Sequence, residues 1–423
     1  MHRIGWISLI GLIGLLAIVG ILALRRGAGP SAIDNASQPG RIATAPSREL
    51  SAEERALASG NTQFAFDLYR ILHQQGGNLF FSPYGISFAL AMVYAGSHSA
   101  TEEQIAGVLH FELAPFDLPA VFGGLHSRFR EGATGSFRLR LANSLWWQEG
   151  FEVRQLFSDT LRQTLGATVQ PLDFSGSPEN ARDTINGWAS RETGGEIKGL
   201  LPSGTITPLT RLLVADAITF RAAWQTRFNA DYTHNATFTP LDGEQVTAPM
   251  MNQIAQFAYA ESDGAQAVEL PYEGERFSMV ILLPARGEFE DSADSLAVDW
   301  VTEILENLSM QWVQIYMPRF EFRSSFELAD ALAGLGMTDA FILGQADFTG
   351  MAPTRELFLD DLYHQTVVSV DENGTYAAAA TAAEMVGPDV PIVRLDRPFI
   401  FLIRDTETGT ILFIGQVVDP SKG

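Results

Sequence analysis

From residue 49 to the end of the chain, apolar positions follow two rhythms. One has the spacing of a helix. Ser82 before Pro83 reads as an N-cap followed by a first-turn proline, opening a helix through Phe88 and Met92 that stops near Gly96. Thr-Glu-Glu-Gln at 101–104 reads as a capping box that starts a second helix. Ser177-Pro178 opens a third, with Ile185 and Trp188, ending at Gly194-Gly195. Ser-Ser-Phe-Glu at 324–327 predicts a fourth, with Leu328, Leu332 and Leu335 on one stripe before Gly336. The other rhythm is that of strands: residues 277–283, 313–317 and 366–370, then two apolar runs at 399–403 and 411–418 around Asp405 to Gly409, which read as a buried hairpin. Interleaved helices, strands and hairpins predict a mixed α+β fold with more than one sheet.

One stretch fits neither rhythm. Residues 370–384 read Val-Asp-Glu-Asn-Gly-Thr-Tyr-Ala-Ala-Ala-Ala-Thr-Ala-Ala-Glu. Alanine is depleted in strands, and Gly374 opens the run poorly for a helix. Its parity is clean, however. Thr375, Ala377, Ala379, Thr381, Ala383 and Met385 fall on one side of an extended chain, and Tyr376, Ala378, Ala380, Ala382 and Glu384 on the other. A segment of this kind can lie in water as a loop and can also slide between two existing strands, where only small side chains fit, leaving Glu384 in solvent.

The N-terminal part stands apart from this body. Residues 4–24 are uncharged and mostly apolar, bracketed by Arg3 and by Arg25-Arg26. At about 1.5 Å per residue the run reaches roughly 30 Å, enough to span a bilayer. Residues 1–26 are therefore read as a membrane anchor or an export signal peptide, residues 27–48, rich in Ala, Gly, Pro and Ser, as a flexible linker, and residues 49–423 as one large domain. Either reading of the first segment places the body outside the cytoplasm.

Composition narrows the chemistry. The net charge of −22, with no basic run of five, argues against a nucleic-acid partner. The chain has no cysteine, which excludes disulfides and thiolate chemistry. Seven histidines are scattered without metal-ligand spacing, and neither a metal nor a cofactor is expected. There is no HExxH, GxSxG, Walker or GxGxxG pattern, so a hydrolase would lack its constellation. The acidic pair Asp360-Asp361 reads as a solvated turn before a strand rather than as acid/base carboxylates.

Taken in order, a set of short segments resembles the serpin family. They are Asn-Leu-Phe-Phe-Ser-Pro at 78–83, Leu-Ala-Asn-Ser-Leu-Trp at 141–146, Ala-Ile-Thr-Phe-Arg-Ala-Ala-Trp at 217–224 and Pro-Met-Met at 249–251. They continue with Met-Pro-Arg-Phe at 317–320, Ala-Asp-Phe-Thr-Gly-Met at 346–351, residues 364–383, Arg-Pro-Phe-Ile-Phe at 397–401 and Gly-Gln-Val-Val-Asp-Pro at 415–420. The resemblance covers roughly residues 50–423 and extends to prokaryotic members.

The resemblance implies three β-sheets, eight or nine helices and an exposed reactive loop. It implies a monomeric suicide-substrate inhibitor rather than an enzyme: a protease cuts the loop, is held as an acyl-enzyme, and is displaced as the loop inserts into the central sheet. The hinge of that loop would be Glu372, Gly374, Thr375, Ala377, Ala378, Ala379, Ala380 and Thr381. Ser82, Asn186 and His364 match the cluster beneath the strands that part, called the shutter. Trp224, with Arg319 and Glu372 as an ion pair, matches the point where the loop first enters, called the breach. Family spacing counted forward from Glu372 puts the residue before the cut at Pro388, and counted back from Pro398 puts it at Gly387. The loop is thus about one residue short. A proline on the leaving side makes a poor substrate, so the cut is expected after Val386 or Met385. Small or medium apolar residues there suit an elastase-, subtilisin- or chymotrypsin-like serine protease, or a cysteine protease. The alternative is a non-inhibitory serpin acting as a binding module.

Overall fold

The strands that carry the longest apolar runs end up in the middle of two sheets, and the helices cover what those sheets leave open. The structure, a computed structural model, describes residues 49–132, 135–262, 264–375 and 390–422. Contacts group the chain into Met1–Glu49 and Leu50–Gly423. The strands of the second unit are β1 (Leu79–Phe81), β2 (Arg138–Gln148), β3 (Thr168–Leu172), β4 (Leu212–Ala223), β5 (His234–Phe238), β6 (Val246–Ser262), β7 (Ala265–Pro271) and β8 (Phe277–Leu283). They continue as β9 (Ser309–Pro318), β10 (Phe320–Glu327), β11 (Leu359–Val370), β12 (Gly374–Thr375), β13 (Ile392–Arg394), β14 (Phe399–Asp405) and β15 (Ile411–Val417). The helices are α1 (Ala52–Leu72), α2 (Pro83–Tyr94), α3 (Ser99–Leu109), α4 (Leu118–Gly132), α5 (Gln155–Leu165), α6 (Pro178–Glu192), α7 (Phe289–Asp294), α8 (Val298–Glu306) and α9 (Ala329–Leu335).

Six strands form one sheet in the order β10-β11-β4-β2-β3, with β12 added on β4. Nine form the other, β1-β15-β14-β8-β7-β6-β9-β13, with β5 added on β6. The third sheet expected from the family is continuous with the second among the described residues, because β6 runs through 17 residues and pairs with β5, β7 and β9 in turn. Aromatic rings seal the two sheets together: Phe137 stacks on Phe277 at 3.9 Å, and Phe220 meets Tyr272 and Phe413. The outer face of the smaller sheet is covered by α6, whose Trp188 meets Trp146 edge-on at 6.0 Å.

β4 shows how this layering is written. Leu213, Ala215 and Ala217 face α6, while Leu212, Val214, Ile218 and Phe220 face the main core. Asp216 lies in the second row, wholly buried.

Local expectations held where capping agreed with packing. Ser82 caps α2 by accepting the Gly85 N–H, with Pro83 in the first turn. Two others are corrected. α3 begins at Ser99, so Thr101 lies inside it, and its hydroxyl instead accepts the Asp347 N–H. Ser324 to Glu327 is not a helix start but the end of β10, held by pairing with β11 from Ser324↔Thr366 to Glu327↔Tyr363. The helix follows as α9, its Ala329 N–H bonded to the Asp361 carboxylate.

Candidate functional site

The seam between β4 and β11 is the place where a strand could enter. The two run parallel and pair from Leu359↔Leu212 to Val367↔Thr219. Above that point β4 continues to Ala223, and its upper residues pair with a different segment. After β11 the chain turns at Asp371, whose N–H donates to the Gly374 carbonyl, and Gly374 and Thr375 run back down antiparallel to Ala223 and Ala222. The first two residues of the small-residue stretch are thus already in the sheet. The turn needs Gly374: its φ is +145°, and a Cβ there would strike the Ala222 carbonyl oxygen and the Ala223 backbone.

Around this entrance every polar group of the turn is held. Trp224 donates its ring N–H to the Asp371 carbonyl at 3.0 Å and its backbone N–H to the Asn373 carbonyl at 2.9 Å. Its ring stacks on Tyr272 at 4.7 Å and 7°. Tyr272 in turn bonds the Thr375 hydroxyl at 2.9 Å, and both are buried. Burial pushes the Tyr272 phenol well above its ordinary value, so it is a neutral O–H throughout. Arg319 donates from Nε to Glu372 Oε1 at 2.8 Å and again from Nη2, and the Thr233 hydroxyl donates to the same oxygen. Burial, the largest influence on Glu372, raises its pKa. Hydrogen bonds from Arg319 and Thr233 with the Arg319 charge outweigh it, and the carboxyl titrates below the usual glutamate value.

Halfway down the seam lies a second polar group. Ser82 donates its N–H to His364 Nε2 at 3.0 Å and its hydroxyl to the Leu412 carbonyl at 2.6 Å. His364 Nδ1 lies 2.7 Å from Asp216 Oδ2, with both side chains at 0 % exposure. A backbone N–H can only donate, so Nε2 is the accepting nitrogen. The imidazole is therefore neutral, with its proton on Nδ1 and aimed at the Asp216 carboxylate. His364 and Asp216 are register partners, so this bond crosses the seam itself.

At the lower end, Asp360 and Asp361 are not a solvated turn. The pairing of β11 with β4 shifts register between Leu359 and Asp361. Asp361 accepts the N–H groups of Ala329 and Leu362, and burial pushes its carboxyl up to about 6.

Of the residues singled out from the sequence, the structure brings Trp224, Glu372, Gly374, Thr375 and Arg319 together at the entrance, and Ser82 and His364 together at mid-seam. Asn186 does not join them. It sits on α6, where its amide exchanges hydrogen bonds with the Leu201 backbone at 2.8 and 3.0 Å. Asp216 stands beside His364 instead. The signal that could have found it is a lone carboxylate in an otherwise apolar row of β4. Ala377, Ala378, Ala379, Ala380, Thr381, Met385, Val386, Gly387 and Pro388 lie outside the described residues, as do residues 4–24. Among the described residues, no helix is long and apolar enough to cross a membrane, and no His/Asp/Glu group is arranged for a metal ion.

The six-stranded mixed sheet, with the short β12 paired to β4 beside a parallel seam, defines the architectural class of the protein. Comparison names the class: the family model "Serpin (serine protease inhibitor)" matches residues 59–420, and the chain belongs to the serpin family. A serpin-like protein of Thermococcus kodakarensis is 40% identical over 382 residues, covering 88% of this chain and 87% of the relative. The leukocyte elastase inhibitor of Bos taurus is 36% identical over 383 residues, covering 86% of this chain and 99% of the relative. Human thyroxine-binding globulin, solved in complex with its ligand, superposes with a TM-score of 0.80 at 27% identity, covering 87% of this chain and 100% of that one.

Proposed function

We propose that this serpin is an inhibitor of serine endopeptidases that works as a suicide substrate. The observation that carries the reading is the antiparallel pairing of Gly374 and Thr375 with the top of β4. Continued in the same register, residue 381 of the inserted strand would fall opposite Asp216. The side chains on the parity of Thr375 are Ala377, Ala379, Thr381 and Ala383, none of which is bulky or charged. Insertion of about a dozen residues forms on the order of ten ladder hydrogen bonds, which at roughly 0.5–1.5 kcal/mol each gives an order of 10 kcal/mol before packing. That energy is available to displace and distort a bound protease.

The cut falls after Val386 or Met385, and the target is an elastase-, subtilisin- or chymotrypsin-like protease. The 36% identity to a protein named as an elastase inhibitor supports this choice. The chain acts outside the cytoplasm, secreted or held by residues 1–26. The test is incubation with elastase, subtilisin and chymotrypsin. A covalent complex that survives SDS is expected, and mass spectrometry of the released loop peptide fixes the scissile bond. Cleaved product alone, across all three enzymes, overturns the proposal.

A non-inhibitory binding role is the second reading. It is favoured by the likeness to thyroxine-binding globulin, a serpin solved with a bound ligand. Under it, nicking the loop leaves thermal stability unchanged.

A further inference from the structure

Asp216 is the unusual group in the seam. Its carboxylate is wholly buried in a row otherwise made of Leu212, Val214, Ile218 and Phe220. One oxygen accepts the His364 Nδ1 proton; the other, Oδ1, makes no hydrogen bond among the described residues. Gly85 of α2 leaves the room: a Cβ there would come within 2.7 Å of Asp216 Oδ2. Among the described residues, the groups facing it on β2, α2, β10 and β11 include no cationic side chain. On β2 the register partner is Asn143, whose buried amide makes no hydrogen bond. On α2 no side chain is charged, and the titratable groups are Tyr84 and Tyr94. On β11 the facing group is His364, held neutral by the Ser82 N–H, and Phe326 of β10 stacks on that ring. Asp361 is three residues down β11 and bonded to backbone at α9.

A strand inserted between β4 and β11 moves His364 away by one strand spacing, about 4.8 Å. The single side-chain hydrogen bond to the carboxylate then breaks, and until Thr381 of the entering strand arrives opposite it the carboxylate has no side-chain donor. A buried carboxylate without its donor is far less stable than the neutral acid. We propose that Asp216 is a positioning residue for loop insertion, whose carboxylate binds a solvent proton as the seam opens, so that acidification favours insertion. The balance is simple: His364 keeps its Nδ1 proton, one proton from solvent adds to Asp216, and no other bond changes. The sign follows from linkage. The open sheet binds the extra proton, so lowering the pH favours it, by at most about tenfold per pH unit for one proton. Burial has already raised the Asp216 carboxyl in the closed sheet, against the opposing effect of His364. The dependence therefore lies above the ordinary aspartate range.

This inference rests on the insertion reading, and the experiment separates the two. The full chain is incubated with a synthetic peptide of residues 374–385, and the rate of binary-complex formation is followed by native gel from about pH 8 to pH 5. The expected result is a rate that rises severalfold per unit on acidification in the parent and is flat in Asp216→Asn, which keeps an acceptor for His364. Glu372→Gln and Asp361→Asn should keep the parent slope. A flat parent, or a slope lost in either control and kept in Asp216→Asn, overturns the proposal. Difference infrared spectroscopy on the parent with a Thr381→Ala peptide, which brings no hydroxyl opposite Asp216, gives a second readout: a new protonated-carboxyl band on peptide insertion is expected, and its absence overturns the proposal. No complex at any pH would remove the insertion reading itself and this inference with it.

Discussion

The entrance and the middle of the same seam hold their buried carboxylates in opposite ways. At the entrance, Glu372 is 5 % exposed and sits under Arg319, which is 43 % exposed, with Thr233 on the same oxygen. Its charge is matched, and its titration falls below the usual range. At mid-seam, Asp216 is as deeply buried but has only a neutral imidazole, and its titration is raised. The difference teaches that the two positions respond to different insults. The entrance is a charge-balanced clasp, exposed at Arg319, around the turn that pairs Gly374 and Thr375 with β4. The middle is a buried contact across the seam, and its two halves would have to separate for the proposed insertion.

The strongest way to break the comparison is to cut the loop. If both regions belong to one slot, cleavage near Val386 should fill it and raise the melting temperature by on the order of 10 °C. Calorimetry before and after nicking checks this, and an unchanged transition means that entrance and seam are unrelated. Next is Ala377→Arg, which puts a long charged side chain on the inward parity just past the described entrance. The expected outcome is conversion from inhibitor to substrate, seen on SDS gels as loss of covalent complex with the cleavage rate retained.

His364→Ala should act at the middle alone. It leaves Asp216 buried without its donor, a change that costs about 3 kcal/mol in such settings. Denaturant unfolding of the uncleaved protein measures it, and faster uptake of the 374–385 peptide should accompany it. The smallest effect is expected for Glu372→Gln. Because Arg319 is nearly half exposed, the pair is worth about 1 kcal/mol. The folded carboxyl titrates below its unfolded value, so this contribution is present above the usual glutamate range and is lost as pH falls through the lowered value. The difference between parent and Glu372→Gln should therefore be seen at neutral pH and vanish in acid, opposite in sense to the behaviour expected of Asp216.

How much of this was legible in the sequence depends on whether local and tertiary forces agreed. The α2 start at Ser82-Pro83 and the final hairpin were readable because cap, turn and apolar spacing all point one way. Gly374 and Thr375 were legible as the start of an extended segment, and both pair with β4; the small residues after them lie outside the described ones. Ser324 to Glu327 misled because it carries a capping pattern, while four pairings with β11 hold it as a strand. The mid-seam failed differently. Asn186 was assigned by family likeness, and its amide serves the Leu201 backbone on a helix over the other face of the sheet. Asp216 carries no spacing signature with His364, 148 residues away. Only the interruption of an apolar row marked it.

The position of β14 and β15 has one more consequence. These strands follow the proposed cut site in the chain yet lie between β1 and β8 inside the larger sheet, and Asn78 ties down Val418, Asp419 and Lys422 beyond them. A ribosome therefore delivers the interior of that sheet last, and everything made earlier must wait with an open gap. Once in place, the C-terminal piece cannot drift off when the backbone ahead of it is severed. The nicked molecule is two polypeptides that travel as one.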